Sequence, residues 1–274
     1  MSTTVDRLVA EAPDDTYVRC ARVGKVYATG RSAVQAIKSV DLGVREGEFV
    51  SLLGPSGCGK STLLMIVAGL ETATSGAVTV AGRRMDEPRT DIGIMFQDPT
   101  LLPWRSILEN VLFPIRMMRR PLPAYRSRAL ELLEEVGLGE FAEHRPRHLS
   151  GGMRQRAAIC RALVHEPRLL LMDEPFSALD AITRDEMNIA LLRMWERHKI
   201  TALFVTHSIR EAVFLSDRVL VMNGRPSTII ADVRIPFARP REFAIGDTPE
   251  FNALCGALRD KIGEAYRGAG TEVH

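Results

Sequence analysis

The sequence predicts an α/β fold built on a largely parallel sheet, with a helical insertion between two sheet-forming regions. Short apolar runs alternate with longer amphipathic stretches along the chain, the pattern of buried strands joined by crossover helices. A glycine-rich run, GPSGCGKST at 54–62, separates an apolar stretch from a helix-favouring one. Several apolar runs also end on a polar residue, and in an open parallel sheet the carboxyl ends of the strands form the ligand edge.

Taken in order, FVSLL at 49–53 reads as a buried strand, and a helix follows Lys60 through STLLMIVAGL. Further buried strands are expected at 92–96, 169–172, 202–205 and 219–222. Residues 121–147 read as helix and loop, with RSRALELLEEVGL amphipathic and ended by Gly137. A helix follows Ser150 and another fills 182–198. After Gly224 the stretch RPSTIIADVRIPFARPREF is rich in Pro and Arg and reads as a strand plus an extended connection. Thr248 and Pro249 are suited to start a final helix with Phe251, Leu254, Leu258 and Ile262 on one face. That stripe is expected to dock on the chain's own core.

At 274 residues the chain can bury the core of one large domain, or of a domain with a subdomain. Formal net charge is only +2, from 36 basic and 34 acidic residues. Such balance argues against a protein that coats nucleic acid or anionic lipid. Cys20, Cys58, Cys160 and Cys255 are scattered without metal-binding spacing, which points away from zinc or a disulfide framework and toward a reducing cytoplasm. The start, MSTTVDRLVAEAPDD, lacks the basic and apolar regions of a signal peptide. No apolar run approaches the ~20 residues that span a bilayer, so work at a membrane would require another chain to cross it.

Gly54, Pro55, Ser56, Gly57, Cys58, Gly59, Lys60 and Ser61, followed by Thr62, fit GxxxxGK[ST] between a strand and a helix. Glycines let the loop turn successive N–H groups toward phosphate oxygens, and the helix start adds partial positive charge. Lys60 is placed to reach the β- and γ-phosphates, and the Ser61 hydroxyl to bind Mg²⁺. RLLLMDEP sets Asp173 and Glu174 at a strand end. Asp173 can hold the magnesium through its water shell, and Glu174 can take a proton from an attacking water. Gln97 ends IMFQ and His207 ends LFVTH, so four strands deliver polar groups to one edge. Gln97 could sense magnesium and the water, and His207 could hydrogen-bond the γ-phosphate. In LSGGMRQR, Ser150 can cap a helix whose N–H groups face an anion, with Gly151 and Gly152 allowing close approach.

The order of these motifs, with SALD ending at Asp180, resembles that of ATP-binding cassette ATPases from about Tyr27 to Met222. The resemblance implies a P-loop NTPase core with an N-terminal antiparallel β subdomain and an inserted α-helical subdomain at about 100–158. The nucleotide-binding domain would run over 16–235, with a short extension at 236–274. It implies ATP and Mg²⁺ as cofactors, Tyr27 stacking on adenine, and Ser61, Gln97 and Asp173 around the metal. Two copies would pair head to tail, each ATP lying between one copy's phosphate loop and the other's LSGGMRQR. Asp180 would link the two sites.

Two classes of cassette protein compete: the ATPase subunit of a transporter, and a soluble ATPase acting on DNA or ribosomes. The compact insertion, the single cassette and the balanced charge favour the transporter. LLPW, DEPFSALDAITRDEMN, THSIREAVFLSDRVLVM and TPEF resemble the nitrate/sulfonate/taurine group of bacterial importers, with bicarbonate and pyrimidine importers similar. That implies permease subunits, an indirectly engaged solute-binding protein, no nucleic acid, and a peripheral place on the cytoplasmic face of the inner membrane. Leu101, Leu102 and Trp104 read equally as core or as a permease contact. The solute stays open among nitrate, taurine, alkanesulfonate and pyrimidine.

Overall fold

The structure is a computed structural model that describes residues 16–29 and 32–269; residues 1–15, including the start considered above, lie outside it. In chain order the strands and helices begin with β1 (Thr16–Thr29), β2 (Ser32–Arg45), β3 (Phe49–Leu53), α1 (Lys60–Val67), β4 (Ser75–Val80), β5 (Arg83–Arg84) and β6 (Ile92–Met95). Then come α2 (Ile107–Val111), α3 (Phe113–Met117), α4 (Leu122–Glu135), α5 (Gly151–Leu163), β7 (Leu169–Asp173) and α6 (Ala181–His198). The last are β8 (Thr201–Thr206), α7 (Ile209–Leu215), β9 (Arg218–Met222), β10 (Ile229–Arg234) and α8 (Pro249–Ala269). They fall into two compact units, Thr90–Ile200 and the remainder.

The unit formed by the remainder holds an antiparallel sheet of order β2-β1-β4-β5. It also holds β8, β3 and β9, which run parallel, with β10 antiparallel on β9. Every residue of β3 is buried, which explains its unbroken apolar run: a strand covered on both faces has no solvent side to mark with polar residues. Its one hydroxyl, Ser51, meets buried Ser216 at 2.5 Å, as a buried polar group requires. Phe49 packs on Phe204 across the β3–β8 pair, ring centroids 5.9 Å apart.

The tail folds back on this unit. Thr248 Oγ1 accepts from Phe251 N at 3.3 Å, at the start of α8, and Phe251, Cys255 and Leu258 are buried. Arg241, also buried, donates to the carbonyls of Val213, Phe214 and Ser216 at 2.8–3.1 Å, carbonyls that the end of α7 leaves without helical partners.

In the unit Thr90–Ile200, β6 and β7 form a parallel pair beside helices α2 to α6. A capping box of Ser106 and Glu109 starts α2. The fully buried Asn110 then holds the preceding segment, accepting from Leu102 N at 2.6 Å and donating to Leu102 O and Ser106 O. Leu101 and Leu102 are half-buried, whereas Trp104 is 67% exposed and is therefore no core residue. Helix α4 turns Ala129, Leu132 and Leu133 inward. Among the described residues no helix is long and apolar enough to cross a membrane.

Candidate functional site

The phosphate loop leaves β3 and enters α1. Gly54 is buried, and a Cβ there would stand 2.6 Å from Met222 O, closer than real Cβ atoms come. Gly59, just before α1, has φ +109°, a left-handed conformation that favours glycine. Lys60 is 3% exposed and its Nζ donates to the carbonyls of Gly54 and Pro55, each at 2.9 Å. The ammonium thus lies across the mouth of the loop, where phosphate oxygens would compete for it. Burial pushes the Cys58 thiol up, against the pull of the Lys60 charge and, more weakly, of Arg225.

Ser61 is exposed in the first turn of α1, and Thr62 Oγ1 accepts from Tyr27 Oη at 3.4 Å. Lys25 Nζ sits 4.8 Å from the centre of the Tyr27 ring. That lysine is itself fixed by Glu71 at 2.6 Å and Thr72 O at 2.7 Å. In the β3–β8 register Leu53 faces Thr206, so Gly54 and the exposed His207 leave the sheet side by side. Thr206 Oγ1 fixes the turn after β8 by donating to Glu211 at 2.5 Å and accepting from Ser208 N at 2.9 Å. A cavity of about 250 Å³ lies against the loop, lined by Pro55, Ser56, Gly57, Cys58, Gly224 and Arg225.

The unit Thr90–Ile200 carries the other candidates. Met95 faces Met172 in the β6–β7 register, so exposed Gln97 and half-buried Asp173 and Glu174 leave that pair together. Glu174 has φ +44°, a conformation that costs a non-glycine residue about 1–2 kcal/mol. The turn holds it there, with Ser177 N and Oγ donating to Glu174 O at 3.2 and 2.9 Å.

Helix α5 connects these pieces. Ser150 caps it by accepting from Met153 N at 3.2 Å, and no acidic residue occupies its first turn, so its partial positive charge is left for an anion. Gly151 is exposed, with nothing nearer to a Cβ than Leu179 Cδ2 at 3.7 Å. Gly152 differs: it is buried, and a Cβ would stand 2.5 Å from Thr183 Cγ2. Its smallness therefore serves packing on α6 within the chain. Thr183 in turn donates to Asp180, from N at 3.0 Å and Oγ1 at 2.7 Å. The Thr183 N–H first, and then its hydroxyl, hold the exposed Asp180 carboxyl below its ordinary range.

Two side chains on α5 complete the connections, and the sequence reading missed both. Gln155 donates to Pro175 O, just after Glu174. Arg161 donates to Thr100 O at 2.9 Å, Pro99 O at 2.6 Å and Thr100 Oγ1 at 3.2 Å, gripping the loop that follows Gln97. Arg225 beside the phosphate loop was missed as well. The one available signal was for Arg161, a cation inside the apolar run AAICRAL.

The donors expected around magnesium, a hydroxyl, an amide oxygen and a carboxylate, are all hard oxygens of the kind Mg²⁺ takes. Among the described residues no group of three or more His, Cys, Asp or Glu forms a metal cage.

Comparison with known proteins places these features. The ABC transporter family model matches residues 37–177. A nitrate import ATP-binding protein of Synechococcus elongatus is 45% identical over 85% of this chain and 86% of its own length. A taurine import ATP-binding protein of Burkholderia pseudomallei is 45% identical over 80% of this chain and 85% of its own. Among solved structures, a dimeric ATP-binding cassette in a post-hydrolysis state with ADP and Pi is 35% identical, covers 81% of this chain and all of its own, and superposes with a TM-score of 0.70.

Proposed function

The chain belongs to the ABC transporter family and is an ATPase, and from that premise we propose that it powers a bacterial importer of a small anion-bearing solute of the nitrate, bicarbonate, sulfonate and taurine class. Two copies would pair head to tail. In each site the 54–62 loop and Lys60 bind the nucleotide phosphates, and the partner's Ser150-capped helix start closes over them. Tyr27 holds the adenine. Glu174 takes the proton of the attacking water, while Gln97 orients that water and His207 steadies the γ-phosphate. Mg²⁺, held through Ser61, Gln97 and Asp173, would neutralise charge on the phosphates when bound. Closure of the pair drives permease subunits on the cytoplasmic face of the membrane, and hydrolysis reopens it. A solute-binding protein outside supplies the cargo.

The observation that carries this reading is the start of α5. It is capped by Ser150, has no acidic residue in its first turn, and ends in an exposed glycine, Gly151. Such a terminus has the partial charge and the open approach that suit an anion, which supports the two-copy reading. The test is ATP turnover per molecule measured across a range of protein concentrations, followed by capture of partners from detergent-solubilised membranes. Turnover should rise with concentration and a permease should co-purify. A monomer that turns over ATP at full rate would reject the two-copy site.

A further inference from the structure

The turn between β9 and β10, residues 223–228, braces the phosphate loop at both ends. At one end, β9 approaches Gly54 so closely that Met222 O leaves no room for a side chain. At the other, the position of a Cβ on Gly59 lies 3.2 Å from both Ala36 O and Ser227 Oγ. The turn's own backbone is fixed. Asn223 N donates to Thr228 O at 3.1 Å, and Asn223 Oδ1 accepts from Thr228 N at 2.6 Å. Ser227, wholly buried, donates to Ala36 O from both N and Oγ at 3.1 Å and accepts from Lys38 N at 2.9 Å.

Arg225 stands between these anchors. Its Nη2 lies 3.8 Å from the position a Cβ on Gly57 would take. With Gly224 it closes the cavity whose other wall is Pro55, Ser56, Gly57 and Cys58. No carboxylate lines that cavity. Among the described residues no hydrogen bond or salt bridge engages the exposed guanidinium. An arginine on a pinned backbone, beside a loop of main-chain donors and without an acidic neighbour in the cleft, has the chemistry of an oxyanion ligand: a planar fork of donors with a permanent charge.

We propose that Arg225 is a further phosphate-binding residue, donating to phosphate oxygens of the nucleoside triphosphate that occupies the 54–62 loop. The inference rests on that loop being the nucleotide cradle, and the experiment separates the two. Binding of MgATP and MgADP is measured by titration in a Glu174→Gln background, chosen to slow turnover, at protein concentrations where the chain is monomeric. Arg225→Ala should weaken MgATP by about 10- to 100-fold, the usual worth of hydrogen bonds to a charged group. Arg225→Lys should retain part of the affinity and Arg225→Glu should lose more than alanine does, a graded charge response that a merely structural role would not give. The deficit of Arg225→Ala should shrink as ionic strength rises, because the site is open to solvent. Equal losses for both nucleotides place the guanidinium on the shared phosphates; a loss confined to MgATP places it on the terminal one. Lys60→Ala serves as the reference for the cradle. Unchanged affinity in Arg225→Ala beside lost affinity in Lys60→Ala overturns the role of Arg225 alone. Unchanged affinity in both overturns the cradle as well. A deficit that appears only at concentrations where copies associate assigns Arg225 to the interface and also overturns the proposal.

Discussion

Replacing Arg161 with alanine removes the grip of α5 on the loop after Gln97. Three hydrogen bonds disappear, to Pro99 O at 2.6 Å, Thr100 O at 2.9 Å and Thr100 Oγ1 at 3.2 Å. Bonds to a charged group are worth about 1.5–3 kcal/mol each, but three from one guanidinium are not additive. The site is also partly open, so water replaces some of what is lost. We expect about 2–4 kcal/mol of destabilisation, within the range for breaking a half-buried polar network. For a chain of this size that lowers Tm by roughly 5–15 °C, measured by thermal melting. Arg161→Lys should fall between, since one ammonium keeps the charge but not the fork that spans two carbonyls. The effect on chemistry is the sharper test. Gln97 lies two residues before Pro99, so turnover should drop more than MgATP affinity does. An alanine variant that melts within about 1 °C of the parent and turns over at the parent rate would refute the reasoning.

Further outcomes are expected at three residues. Glu174→Gln should cut turnover by about 10²- to 10⁴-fold while leaving MgATP affinity intact; near-normal turnover would remove Glu174 as the base. Ser150→Ala should lose a cap worth about 0.5–2 kcal/mol. Ser150→Asp should keep the cap and the Tm yet, in the proposed head-to-tail pair, lower turnover about tenfold or more by setting a negative charge before the phosphates; equal melting and turnover losses in the two variants would reduce Ser150 to a cap. Gly54→Ala should force β9 away from the loop, costing about 1–3 kcal/mol and weakening MgATP; unchanged binding would mean the loop tolerates the shift.

The legibility of the sequence follows the physics of each element. Strand β3 and the runs at 169–172 and 202–205 stand out because they are buried throughout and so carry no polar alternation. The long strands β1 and β2 were not legible as residues. Their pairing shifts register at several points between Thr16 and Val26, and each shift moves side chains to the other face and breaks the two-residue period. The short helices α2 and α3 hide for another reason: five residues each give too few turns for a period to emerge. At the site, the candidate groups sit in short local motifs, which is why the sequence singles them out. Arg161 and Gln155 grip main-chain oxygens 62 and 20 positions away, and any residue type supplies a carbonyl, so no local pattern marks those pairs. Arg225 depends on where a turn falls in space and left no trace in the sequence at all.

Helix α5 has one more property, which is mechanical. With a rise of about 1.5 Å per residue, Gly151 and Arg161 are about 15 Å apart along the helix axis, and Gln155 lies about 6 Å from Gly151. A 5° tilt about the midpoint of that span moves each end by roughly 0.6 Å, comparable to the difference between a good hydrogen bond and a broken one. The first turn, the Pro175 carbonyl and the Pro99–Thr100 carbonyls ride on one stiff rod, without a proline or glycine between Met153 and Leu163 to act as a joint. If an anion at the tip tilted the helix, the loops at Pro175 and at Pro99–Thr100 would be carried with it, one displacement felt at three points.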